Sequence, residues 1–214
     1  MATKAAKRHV ARVLRALQRD YPDAECALHY ETPVQLLVAT ILSAQCTDQR
    51  VNLVTRVLFR KYPTAAHLAR VPLSRLEKEI HSTGFFRNKA KNIKACCQKL
   101  VEEYDGQVPQ NLDDLVQLSG IGRKTANVVL GTGFGIPTGV VVDTHVGRLS
   151  RRLGLTDQKD AVKCEHELMG QLPRKEWIIF SHRMIHHGRQ VCLARKPKCS
   201  TCGMNKFCPR FGVD

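Results

Sequence analysis

Acidic residues are scarce in this chain. Nineteen Asp and Glu stand against thirty-four Lys and Arg, a formal charge of +15 over 214 residues. That imbalance points to a polyanion partner, because basic side chains that neutralise phosphates release condensed counterions. Solubility alone is the plainer reading of the same charge. Long hydrophobic runs are absent: none approaches the ~20 residues that cross a bilayer, so no membrane span is expected. Alternating apolar and polar runs are missing too, which argues against a sheet. There is no low-complexity segment and no repeat of fixed period. Nor is there a secretory leader, so disulfides are not expected and the protein reads as intracellular.

Helical periodicity fills nearly the whole chain, and the expected class is all-α. The N-terminal MATKAAKRHVARVLRALQRD is basic and has no acid before Asp20, as organelle transit peptides do. Its Val10, Val13, Leu14 and Leu17 nevertheless fall at i, i+3, i+4, i+7, the stripe of an amphipathic first helix. Val34, Leu37, Val38, Ile41 and Leu42 predict a helix over 33–42, with Pro33 in its first turn. Thr47 or Asp48 can cap the next helix, whose apolar face is Val51, Val54, Val57 and Leu58. Short helices start near Pro63 and Pro72, and a long one spans 86–104. Asp105-Gly106 marks a turn. Further helices are predicted at 111–117, 123–130, 144–152, 158–169 and 175–188. Gly139–Asp143 (GVVVD) is the best junction between domains, although no linker stands out by composition.

The chemistry-bearing stretch is LSGIGRKTANVVLGTGFGIPTGVVVD, residues 118–143. Gly120 and Gly122 permit a sharp turn and a close backbone approach by a ligand. The helix that follows would offer unpaired N–H groups and a positive dipole end to a phosphate, which positions a protein on DNA without reading sequence. Arg123 lies at the same helix start. Lys124 sits at the second or third helical position. A cation there is disfavoured by the dipole by about 0.3–1 kcal/mol, which promotes the neutral amine that a nucleophile needs. Simple pairing with phosphate explains the same placement. Asp143, nineteen residues on, can cap the next helix, act as a fixed carboxylate, or do both. The glycine-rich Gly131–Gly135 has no Lys-Ser/Thr after it and reads as a helix end rather than a nucleotide loop. His182 and His186 have metal-helix spacing, but Arg183 stands where a zinc protease would have glutamate.

Nine cysteines divide into two sets. Cys26, Cys46, Cys96, Cys97 and Cys164 are scattered, as small buried hydrophobes are. Cys192, Cys199, Cys202 and Cys208 crowd into seventeen residues with the spacing C-x6-C-x2-C-x5-C. Four thiolates in one irregular loop can hold zinc or an iron–sulfur cluster, and zinc sites usually show two close pairs. Arg195, Lys196 and Lys198 lie between the first two cysteines, so a pinned loop would present three cations to phosphates.

The segments LLVATILSAQCTD (36–48), GFFRNKAKNI (84–93), LSGIGRKTANVVL (118–130), VDTHVGRLSRRLG (142–154) and HGRQVCLARKPKCSTC (187–202) together resemble the endonuclease III family. Its members are bifunctional DNA glycosylases of the helix-hairpin-helix superfamily. The resemblance implies a six-helix barrel over residues 26–136, a second helical domain of 1–25 plus 137–214 with a 4Fe-4S cluster, and DNA in a cleft between them. It implies base-excision repair of oxidised pyrimidines in duplex DNA, followed by strand cleavage at the abasic site, by a monomer at the nucleoid. By motif position Lys124 is the nucleophile, Asp143 its carboxylate helper, and the four C-terminal cysteines the cluster ligands. Gln45 matches the residue that fills the gap left by a flipped nucleotide, and Phe85 the apolar wedge. Two positions depart from the family pattern: Ser119 replaces a hairpin proline, and the Phe85-Phe86 pair replaces an aliphatic wedge, which bears on damage and opposite-base preference. A monofunctional adenine glycosylase, a non-enzymatic DNA binder and a zinc-stabilised protein are the alternatives.

Overall fold

The computed structural model describes residues 4–213, and every regular element among them is helical. The chain forms two compact units, Cys26–Thr138 and, joined from both termini, Met1–Glu25 with Gly139–Asp214.

The Cys26–Thr138 unit contains α2 (Pro33–Leu42), α3 (Asp48–Lys61), α4 (Ala65–Arg70), α5 (Leu73–Ile80), α6 (Phe86–Glu103), α7 (Leu112–Leu115) and α8 (Arg123–Val128). α2 is buried from Gln35 through Leu42 without interruption. Its sequence had predicted a single apolar face; surrounded on all sides by α3, α6 and α8, it is instead the central rod of the unit. Thr32 caps it by accepting from the Gln35 amide, and Pro33 occupies the first turn, where a missing N–H costs nothing. In α3 the cap is Thr47 rather than Asp48. Val51 and Leu58 are buried there, whereas Val57 is 36% exposed and lies off the core face.

α6 lies against α2, α4 and α5 and buries Ala90, Ile93, Cys96, Cys97 and Leu100. Two of its lysines hold the ends of neighbouring segments. Lys94 Nζ donates to the carbonyls of Ala69 (2.6 Å) and Val71 (2.8 Å) at the end of α4. Lys89 does the same at the end of α2. Helix C-termini carry unpaired carbonyls and partial negative charge, so an ammonium there satisfies both. α8 does not run unbroken to Leu130. It widens into a π-helical turn at Val129–Gly133, and Gly135, at φ 69°, follows with its amide donating to Gly131 O.

The other unit contains α1 (Lys4–Asp20), α9 (Thr144–Arg152), α10 (Ala161–Gln171) and α11 (Trp177–Gln190), followed by the irregular C-terminal loop. Val10, Val13 and Leu17 of α1 are buried with Val146, Leu149, Phe180 and Met184. The basic N-terminal segment is therefore a packed helix of the fold. α11 packs against both α1 and α9.

Candidate DNA-repair site

The hairpin is built by local hydrogen bonds. The Leu118 amide donates to Leu115 O and the Ile121 amide to Leu118 O, both at 3.1 Å. Gly120 takes φ 79°, and a Cβ there would come within 2.9 Å of Asn92 Cβ, so glycine is required twice over. Gly122 differs from expectation. At φ −92° and ψ 172° its backbone is ordinary, and a Cβ would meet nothing within 4 Å. The turn is made by Gly120 alone. Gly122 is the N-cap of α8 and brings no capping side chain. A helix start of this kind directs its first-turn amides outward, toward an external acceptor. Ser119 is exposed, which leaves the hairpin's internal bonds independent of it. Lys124 is the second residue of α8 and is exposed, with half-buried Arg123 before it.

Asp143 is the N-cap of α9. Its Oδ1 accepts from the Val146 amide at 2.7 Å, which fixes the direction of the carboxylate while stabilising the helix by about 1 kcal/mol. The same helix carries Arg148 and Arg152, one turn apart. Arg148 Nη2 donates to Gly188 O (3.3 Å) and Cys192 O (2.9 Å). Arg152 donates to Leu193 O (2.6 Å), Ala194 O (2.9 Å) and Cys192 Sγ (3.4 Å). α9 thus presents the carboxylate at its start and grips the cysteine loop further along. Neither arginine was assigned a role from sequence. Their i, i+4 spacing was the available signal, but it says only that they share a helix face.

Cys192, Cys199, Cys202 and Cys208 line one small pocket, walled by Leu149, Leu153, Val191 and Met204. Burial pushes the thiols of Cys202 and Cys208 up, and the neighbouring cysteines push the same way. Such a set becomes four thiolates only around a strong cationic centre. Donors to the sulfurs are in place: Arg152 at Cys192, and the Met204 amide at Cys202 at 3.4 Å. His187 Nε2 lies 3.7 Å from Cys202 Sγ, and Tyr21 hydrogen-bonds its Nδ1 at 3.0 Å. Among the described residues no three Cys, His, Asp or Glu side chains gather closely enough for a single metal ion. Four thiols spread around an apolar-walled cavity fit a multinuclear cluster better than one zinc ion. Arg195, Lys196 and Lys198 are all exposed on the same loop, with Lys196 at φ 50°.

Gln45 and Phe85 share a conformation. Both are exposed, and both are left-handed, at φ 52° and φ 47°. Side chains other than glycine avoid that region at a cost of about 1–2 kcal/mol. Phe85 is 65% exposed as the N-cap of α6. Phe86 packs on the core and lies against the His81 ring, tilted by 43° at 4.4 Å between ring centroids. Of the two adjacent aromatics, only Phe85 is free to enter another molecule.

A helical fold with a glycine hairpin opening onto a lysine-bearing helix defines a class, the helix-hairpin-helix DNA repair proteins. Residues 38–174 match the HhH-GPD superfamily of base-excision DNA repair proteins, and residues 192–208 match the iron-sulfur binding domain of endonuclease III. The endonuclease III of Synechocystis sp. is 56% identical over 98% of this chain and 94% of its own length. A non-covalent endonuclease III–DNA complex superposes with a TM-score of 0.91 at 45% identity, covering 98% of this chain and 97% of that one. A trapped endonuclease III–DNA covalent intermediate gives 0.91 at 44% identity with the same coverage. The chain belongs to the endonuclease III family. It is a base-excision DNA glycosylase with abasic-site lyase activity, and its cofactor is a 4Fe-4S cluster.

Proposed function

We propose that this enzyme removes oxidised pyrimidines from duplex DNA through an imine at Lys124, then cleaves the strand at the resulting abasic site. One observation carries the reading: an exposed lysine at the second position of the helix after the hairpin, within the matched repair domain. The trapped covalent intermediate of a relative is the chemistry this lysine would perform. Cys192, Cys199, Cys202 and Cys208 would hold the cluster, which would pin and shape the loop that carries Arg195, Lys196 and Lys198.

The hairpin amides at Gly120–Arg123 and the exposed Arg195, Lys196 and Lys198 hold phosphates. Phe85 and Gln45 enter the stack as the damaged nucleotide rotates out. Damaged bases stack and pair less well, so their extrusion costs less, and part of the selectivity follows. Neutral Lys124 attacks the sugar C1′. The C1′–N bond breaks, and the base leaves with the electron pair and takes up a proton. Asp143 accepts the proton from the amine and stabilises the developing positive charge on the sugar. The sugar ring then opens as the nitrogen lone pair expels O4′, which takes up a proton, and the iminium formed at C1′ acidifies C2′–H. Loss of that proton drives elimination of the 3′ phosphate, and water then releases Lys124. The enzyme acts as a monomer, inside the cell.

Borohydride reduces the iminium to a stable amine and should yield one covalent protein–DNA adduct. Lys124→Gln should abolish it, and an undiminished adduct in that variant overturns the assignment. Asp143 has a second duty as a cap, which the choice of substitution separates. Asp143→Asn keeps the cap, so folding and DNA binding should persist while excision slows about 100-fold or more. Asp143→Ala should in addition lower stability by about 1 kcal/mol in a urea titration.

A further inference from the structure

Lys89 lies outside every role assigned so far. Its side chain is only 4% exposed. Nζ donates to Leu42 O and to Thr83 O, both at 2.8 Å. Leu42 is the last residue of α2, three before Gln45. Thr83 closes the 3-10 turn His81–Thr83, two before Phe85. One ammonium therefore ties together the two turns that carry the strained, exposed side chains.

Burying an ammonium is costly, and burial pushes the Lys89 pKa down, opposed by the nearby Cys46 thiol. An apolar side chain of similar size would often serve stability as well or better. A cation with two fixed acceptors adds geometry to the packing of α6 on α2: it sets the separation of the two backbone ends directly, carbonyl to carbonyl. Left-handed residues other than glycine persist only where their surroundings over-determine them. Here the over-determination has a source. Phe85 is the N-cap of α6 and Lys89 sits one turn along the same helix, its backbone amide donating to Phe85 O at 3.1 Å. The helix that positions one probe also carries the anchor of the other.

We infer that Lys89 is a positioning residue that locks Gln45 and Phe85 into one rigid pair, so that it governs nucleotide extrusion and leaves the covalent chemistry at Lys124 untouched. The inference rests on the proposed reading of Gln45 and Phe85 as the residues that enter the duplex.

The test compares two substrates in single turnover, using the full chain with its cluster. One duplex carries an oxidised pyrimidine opposite guanine; the other carries a preformed abasic site, where no base has to be unstacked. Lys89→Met should slow excision of the paired lesion by about tenfold while abasic-site trapping by borohydride stays within about twofold. 2-Aminopurine beside the lesion should show the same delay in its fluorescence rise. Lys89→Arg, which can still donate to both carbonyls, should recover most of the rate. In a Gln45→Ala, Phe85→Ala background the Lys89→Met change should add little. Should Lys89→Met fail to fold, Lys89→Gln, with a shorter donor, takes its place in the same comparison, and a smaller but equally selective loss is expected. Equal slowing on both substrates, or full additivity with the double variant, overturns the inference. If Gln45→Ala and Phe85→Ala slow excision and Lys89→Met does not, the inference alone is wrong. If Gln45→Ala and Phe85→Ala excise at the normal rate, the reading of the two probes is wrong, and the inference falls with it.

Discussion

Phe85 shows how a single residue divides stability from function. At φ 47° and ψ 28°, with its ring 65% exposed, it contributes little to the core and strains the backbone. Glycine would relieve the left-handed penalty of about 1–2 kcal/mol and return part of it, about 0.5–1 kcal/mol, as chain entropy lost on folding. Phe85→Gly should therefore gain about 0.5 kcal/mol in a urea titration and excise paired lesions more slowly. A stability loss with full activity would mean that the ring belongs to the core and not to the DNA. The sequence shows two adjacent aromatics here, and the family resemblance alone proposes the first of them as the wedge. Adjacent phenylalanines cannot be told apart by periodicity; only the packing of Phe86 against His81 and the core separates them. Lys89 was illegible for a similar reason. It heads the buried stripe of Ala90, Ile93, Cys97 and Leu100, and a cation in such a stripe ordinarily snorkels outward. That it turns inward depends on two carbonyls supplied by other segments.

At the scale of elements, α9 is the connecting part. Asp143 caps its start, and Arg148 and Arg152 bind the backbone of the cysteine loop. Two guanidinium groups thus hold the loop, and the helix that grips it also directs the carboxylate. Arg152 is almost fully buried, at 8% exposure, and its removal would leave Leu193 O and Ala194 O without their donor. Arg152→Met should cost about 3 kcal/mol, and the brown visible absorption of the cluster should bleach several-fold faster under an iron chelator. Unchanged bleaching would show that the thiols alone hold the loop. The sequence marked the helix over 144–152 and the cysteine spacing, each from its own local pattern. Their connection runs over forty-one residues between Arg152 and Leu193, and no local pattern encodes it.

At the scale of the molecule, the excess of fifteen positive charges predicts binding that weakens steeply with salt. Each phosphate contact contributes about 0.9 to the slope of log K against log salt. Lys196, exposed on the cysteine loop, is proposed as a contact of that kind, one that would carry no base information. Lys196→Ala should reduce the slope by about 1 and weaken binding evenly across lesions, read by fluorescence anisotropy over a salt series. A change in lesion preference at constant slope would instead place Lys196 beside the extruded base. No described helix is long and apolar enough to cross a membrane, in keeping with the absence of long hydrophobic runs.

What the sequence determined by itself is whatever has a local cause. Apolar residues every three or four positions make helices, Thr32, Thr47 and Asp143 cap them, Gly120 turns the hairpin, and the cysteine spacing brings four thiols onto one short loop. The tertiary structure decided what depends on a neighbour distant in the chain. It buried α2 on every side, left Phe85 outside while Phe86 packed, turned Lys89 inward onto Leu42 and Thr83, and set Arg152 against the cysteine loop. A side chain's surroundings are fixed by whichever segments pack around it, and periodicity along one helix carries no record of which segments those are.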